Sequence, residues 1–249
     1  MKKQLSSFIL LGSILACQGA ETFEVHEWGT FTSLQHSDGQ QQMWLSTPTE
    51  DLPGFIYKDI NQLSTLKKTH SSYALSKGSS RAKLRMETPV IYFHSDEAIK
   101  VNVQVDLPKG RLTEWYPVAT AAGPSFGTPY IGHYGFGTVT NPAYIKWDNI
   151  QVHAPNYKTK LIKDSRGSHY YDARSTTANL VSIPSHKGKE TEGFLFYRGV
   201  AHFNSPVTVT ENTKGFLHMK NSLSVPINNA LLIETDNHQI KRHWLGNFL

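Results

Sequence analysis

A disulfide framework is excluded at once, because the chain has a single cysteine, Cys17. No apolar run approaches the ~20 residues that a membrane-spanning helix needs. Charge of one sign is also missing. The 25 Lys and Arg stand against 20 Asp and Glu and are scattered, which gives no grip on nucleic acid. Charged residues make up only 18% of the chain, too few for charge-driven disorder. No repeat of solenoid or propeller period is present. What the sequence does have is bulk. Aromatics at 11% supplement a slightly lean 39% of hydrophobic residues, so a packed core is expected. A length of 249 residues accommodates one large all-β domain or two small ones.

The N-terminus reads as an export signal. Lys2-Lys3 precede a short apolar run, Phe8 to Ala16, that ends in small residues. The signal peptide is therefore placed at residues 1–20. Removing it leaves 23 basic side chains against 20 acidic ones. Cys17 follows Ile14-Leu15-Ala16 where a lipoprotein signal places its acylated cysteine, although Leu15 departs from the usual small residue. Two outcomes stay open. Either Cys17 is lipidated and anchors the protein to the cell envelope, or cleavage near Gly19 or Ala20 releases a periplasmic or secreted protein.

The clearest local pattern runs from Ile99 to Leu107. Ile99, Val101, Val103, Val105 and Leu107 alternate with Lys100, Asn102, Gln104 and Asp106, the rhythm of a strand with one apolar face. Strands are also expected at Met86–Phe93 and Arg111–Tyr116. With a turn at Pro108-Lys109-Gly110, the three suggest an antiparallel meander that needs a second layer. Phe23–Leu34 reads as a strand in which Gly29 marks a bulge or the close approach of another backbone. A turn at Ser37-Asp38-Gly39 then leads to a strand around Met43–Leu45. A short helix is expected over Tyr57–Leu66, a polar loop over Lys67–Arg81, and a Gly- and Pro-rich aromatic loop over Ala119–Pro142. Further strands are expected at Tyr144–Val152, Ala178–Ile183, Phe194–Val200, Val207–Thr210, Phe216–Met219, Leu223–Ile227 and Ala230–Glu234, and Pro184–Glu192 reads as a solvated linker or hairpin tip. Short strands between turn residues predict an all-β antiparallel sandwich. It is assigned to residues 21–192, with a second, smaller sandwich-like unit at 193–249.

Four strings carry a resemblance: Glu24–Thr32 (EVHEWGTFT), Met86–Phe93 (METPVIYF), Leu112–Pro117 (LTEWYP) and Phe194–Gly199 (FLFYRG). Together they resemble a group of uncharacterised exported bacterial proteins that carry the HEWGTFT motif, over a span from Glu24 to Gly199. The resemblance implies export and brings no catalytic roles with it. Members of that group are often longer, which implies that the C-terminal unit is incomplete.

Three chemistries can be drawn from the residues. Gly123-Pro124-Ser125-Phe126-Gly127 matches G-x-S-x-G, but Pro124 and the breakers after Gly127 deny Ser125 the strand–turn–helix setting of a nucleophile. Glu87 and Glu114 flank the central strands and suggest a carboxylate pair of the glycosidase kind, with Trp115 and Tyr116 beside it. Arg198, set in an apolar strand, calls for an acid partner. His26-Glu27 is not HExxH, and on a strand the two side chains take opposite faces. A metal would have to gather His26, His133, His169 and Asp172 from separate segments. Binding residues expected on aromatic and polar grounds are His26, Trp28, Trp115, Tyr116, Tyr130, Tyr134 and Arg198. The reading is a non-catalytic exported protein that binds a glycan or another exported protein, with an extracytoplasmic hydrolase or lyase as the alternative. It touches membrane only through a lipid at Cys17, involves no nucleic acid, and leaves any cofactor unassigned.

Overall fold

A computed structural model describes residues 22–45, 51–58, 81–123, 142–186, 188–227, 230–236 and 239–246. The signal segment with Cys17, and Ser125, Tyr130, His133 and Tyr134, lie outside the described residues, as do the polar loop and nearly all of the expected helix.

In chain order the strands are β1 (Phe23–Gln35), β2 (Gln41–Gln42), β3 (Trp44–Leu45), β4 (Tyr57–Lys58), β5 (Arg81–Ala82), β6 (Leu84–Ser95), β7 (Ile99–Leu107), β8 (Gly110–Tyr116) and β9 (Ala121–Gly123). They continue as β10 (Ala143–Val152), β11 (Val181–Ser185), β12 (Gly188–Glu192), β13 (Leu195–Ala201), β14 (Val207–Glu211), β15 (Leu217–Asn221), β16 (Ala230–Asp236) and β17 (Gln239–Leu245). Among the described residues one short 3-10 helix, His169–Arg174, interrupts them. The expected all-β class is what the chain adopts.

The first sheet runs β2-β1-β6-β13-β8-β4, and the second runs β12-β11-β10-β7, with β9 also paired to β10. All pairings are antiparallel. Met86, Ile91, Phe93, Trp115, Leu195 and Tyr197 of the first sheet share one core with Val103, Val105, Ile145, Trp147, Ile150 and Val181 of the second. That is a sandwich. The buried indole of Trp147 is satisfied by donating to the Pro117 carbonyl at 3.1 Å.

Four expectations change. β6, β7 and β8 do not form a meander: β7 pairs with β10 in the second sheet, while β6 and β8 both pair with β13 in the first. The burial patterns give the reason. β7 has one wet face and suits a sheet covered on one side only. β6 and β8 bury residues on both faces and suit a sheet covered twice. The boundary at residue 193 is also displaced. β13, buried along its whole length, is an inner strand of the first sheet and not the start of a second unit. After Ala201 the described residues form two separate hairpins, β14–β15 and β16–β17, with no buried residue in either. Finally, the partner that β1 meets across the Gly39 turn is Gln41–Gln42, whereas Trp44–Leu45 pairs with Arg81–Ala82. No strand forms over Leu223–Ile227.

Gly29 does what its place in a strand suggested, on both counts. The β1–β6 register shifts between Trp28 and Thr30, and a Cβ on Gly29 would stand 3.0 Å from the Pro89 Cα.

Candidate functional site

The side of the first sheet turned away from the second is not left to solvent. Leu52, Ile56 and Tyr170 cover Val90, Tyr92, Tyr116 and Phe196 in a second, smaller core. Beside that core lies a row of charges. Arg198 on β13 is opposite Glu114 on β8 and sits between it and the Glu87 end of β6. Arg198 is only 2% exposed. Its Nη1 and Nη2 donate to the two carboxylate oxygens of Asp51, each at 3.1 Å, and Nη2 is 3.5 Å from Glu87 Oε2. The second oxygen of Glu87 accepts from Arg85 Nε, and Glu114 accepts from the Thr113 hydroxyl. Burial, and then the neighbouring Arg198 charge, lower the pKa of Arg85.

This arrangement supports ion pairing better than acid catalysis. Glu87 is held by the guanidinium groups of Arg198 and Arg85, and Glu114 is turned to the Thr113 hydroxyl. Glu87 and Glu114 are not on neighbouring strands as a simple pair would need. β13 separates them, which sets their backbones about 10 Å apart, two strand spacings. The Arg198 strand occupies the row between them.

A second buried acid went unnoticed in the sequence. Glu192 is fully buried and accepts from Arg174 Nε at 2.9 Å, Arg174 Nη2 at 2.6 Å, the Tyr170 hydroxyl at 2.8 Å and the Gly193 amide at 2.8 Å. Burial, reinforced by Glu192, pushes the Tyr170 hydroxyl pKa well up. Four donors on one carboxylate fasten the 3-10 turn to the sheet. The only available signal was its position, where a polar run meets the apolar FLFYRG. A Ser–His contact was also missed. His153 Nε2 lies 2.8 Å from Ser182 Oγ, which in turn bonds Thr191 Oγ1 at 2.7 Å. Ser182 is 5% exposed and spends its hydroxyl in this bridge. The Tyr157 ring stacks on His153 at 3.7 Å. Desolvation, then Lys189, lower the His153 pKa.

β1 carries the expected HEWG residues in a different setting. Opposite-face placement holds. His26 lies across from Tyr92, with ring centroids 5.2 Å apart, and stacks on His94 at 5.0 Å. Glu27 lies across from the core residue Ile91 and accepts the Tyr197 hydroxyl. Desolvation raises the Glu27 carboxyl pKa, only partly opposed by that hydrogen bond. Trp28 is 59% exposed. By contrast Trp115 and Tyr116, at 3% and 4%, are core residues of a doubly covered strand and present no ring to a ligand. Arg198 is likewise enclosed. His169 and Asp172 pair at 3.4 Å on the exposed 3-10 turn. Among the described residues no group of three His, Cys, Asp or Glu is close enough to hold a metal ion.

A polar cleft of about 380 Å³ lies between the β1–β2 hairpin and the Asn204–Thr208 connection. The side-chain amides of Gln35 and Gln41 are already engaged. Gln35 bonds the Val207 carbonyl at 2.7 Å and the Val209 amide at 3.0 Å, while Gln41 bonds the Lys83 carbonyl at 2.9 Å and the Ser205 amide at 2.8 Å. The cleft is a joint that fastens β14 to the N-terminal hairpin.

The geometry thus defines an all-β sandwich with its carboxylates tied down and an exposed indole on its long N-terminal strand. Comparison with known proteins finds no matching family, no matching curated protein and no matching solved structure.

Proposed function

We propose that this is a non-catalytic exported protein of the HEWGTFT-bearing kind, held at the cell envelope or released, that binds a glycan or another exported protein through the β1 face. The observation that carries this reading is Trp28. A large ring left 59% exposed, with His26 on the same face, offers the flat apolar platform and nearby polar group that a sugar ring uses. The engagement of Asp51, Glu87 and Glu192 by guanidinium groups supports the non-catalytic side of the proposal.

Binding across a broad glycan array, followed by product analysis of every hit, tests it. The expected result is binding without turnover, weakened at least tenfold by Trp28→Ala. Binding unchanged in that variant removes the β1 face from the proposal. A second reading, an extracytoplasmic hydrolase or lyase, draws support from Glu27, whose raised pKa suits a proton donor. Product formation that disappears in Glu27→Gln would replace the binding reading with the enzymatic one. The lipid anchor is proposed separately: Cys17→Ser should move the protein from the membrane fraction to the soluble one, and unchanged fractionation would defeat it.

A further inference from the structure

β1 is thirteen residues long, yet β2 pairs with it only at Leu34 and Gln35. From Phe23 to Thr30 its other edge meets no strand among the described residues, while β6 pairs along the first edge. An open strand edge is a template for another strand, and folded proteins usually blunt it with Lys, Pro or a bulge. The segment FEVHEWGT has neither Lys nor Pro, and its only interruption is the bulge at Gly29. The regular edge therefore covers Phe23 to Trp28.

We propose that this edge pairs antiparallel with the same edge of a second copy of the chain, with Val25 on the two-fold axis. Complementarity between a carboxylate and an imidazole selects this register. Glu24 and His26 share the outer face, and both are exposed. With Val25 opposite Val25, a two-fold rotation sets each Glu24 across from the second copy's His26, twice in one interface. Each Glu24 is already opposite His94 of its own β6, so the carboxylate is bracketed by two imidazoles. The next even register on one side sets His26 against His26, and the one after it sets Glu27 against Glu27, neither of which brings a carboxylate opposite an imidazole. On the inner face the chosen register brings Val25 onto Val25 and sets each Phe23 across from Glu27, which turns to Tyr197. The pairing joins two six-stranded sheets into one continuous sheet across the dimer and leaves each Trp28 on the same open side.

Sedimentation of the purified chain over a concentration series reaching hundreds of micromolar tests this, with reducing agent present so that no Cys17 bridge is counted. The expected result is a reversible monomer–dimer equilibrium. Glu24→Lys and His26→Glu should each weaken it at least tenfold, and an equimolar mixture of the two should restore a heterodimer. That restoration is specific to the register, since a loss of folding would not be rescued by mixing. Hydrogen exchange of wild type gives an independent readout: amides 23–28 should gain protection as concentration rises. A chain that stays monomeric throughout, variants that fail to complement, or edge amides equally protected at every concentration would each overturn the proposal. Glycan binding by a monomer would sink the dimer and leave the proposed function standing, and a dimer that binds no glycan would do the reverse.

Discussion

The two sheets solve the same problem under different constraints. In the second sheet β7 keeps Lys100, Asn102, Gln104 and Asp106 in water and its Val and Leu side chains in the core. Along β7 one face is wet, so no charge on that strand has to be buried. The inner strands of the first sheet, β6, β13 and β8, are covered on both faces, by the second sheet on one and by segments 51–58 and 168–174 on the other. Where those segments lie over the sheet, Arg198 is shut off from bulk water and is met by Asp51 and Glu87. The difference teaches where polar groups carry structural weight. On β7 a polar side chain is a solvated decoration, whereas Arg198 on β13, like Glu192 at the end of β12, is a fastener for the segment that lies over the first sheet.

If so, the most damaging single change is Arg198→Ala. It leaves Asp51 and Glu87 without the cation between them and should cost about 3 kcal/mol, the low end for a broken buried pair because Asp51 keeps 33% of its side chain in water. Urea unfolding followed by fluorescence measures it, and a loss below ~1 kcal/mol would mean that the outer face is wetter than its packing indicates. Next comes Gly199→Ala. The added methyl would meet the Arg111 carbonyl oxygen and approach Met86 Cε to 2.8 Å, an overpacking cost of about 1–3 kcal/mol. On the second sheet, Ile145→Val removes one methylene from a fully buried site and should cost about 1 kcal/mol. Gln104→Ala removes only an exposed side-chain bond to Asp106 and should stay within ~0.5 kcal/mol. Were Gln104→Ala to cost as much as Ile145→Val, the contrast between a wet face and a dry one would fail.

How much of this was readable in advance follows from the same contrast. The β7 alternation was legible because a one-sided strand writes its burial into a period of two. Which strand β7 pairs with was not, since β6, β7 and β8 are joined by tight turns in either arrangement. Only the two-sided apolar content of β6 and β8 separates the cases. That Arg198 needs an acid was legible from its place in an apolar run. The identity of Asp51 was not, because it comes from a segment 147 residues away that carries no periodic signal. The sequence suggests Trp115 and Tyr116 as binding residues because an aromatic pair looks the same on a covered strand as on an open one. Glu192 was lost in the polar string PSHKGKETE, most of which is hairpin.

Glu27 is the exception that sharpens the contrast, a carboxyl on the first sheet with no cation against it among the described residues. Desolvation raises its pKa above the ordinary value of 4.5. A carboxyl that binds its proton more tightly when folded stabilises the fold at acid pH, and that contribution is lost as pH rises through the folded-state pKa. The neighbouring Tyr197 hydroxyl can donate equally well to an amide oxygen, so Glu27→Gln keeps the hydrogen bond and removes only the titration. The stability of Glu27→Gln relative to wild type should therefore increase from below pH 4.5 upward and level off once Glu27 is ionised in the folded protein. This is the smallest of the expected effects, because the side chain remains partly in contact with water. Paired urea titrations at a series of pH values read it directly. A difference that does not change with pH would show that Glu27 is as well solvated as the residues on the wet face of β7, and that desolvation on the first sheet stops short of β1.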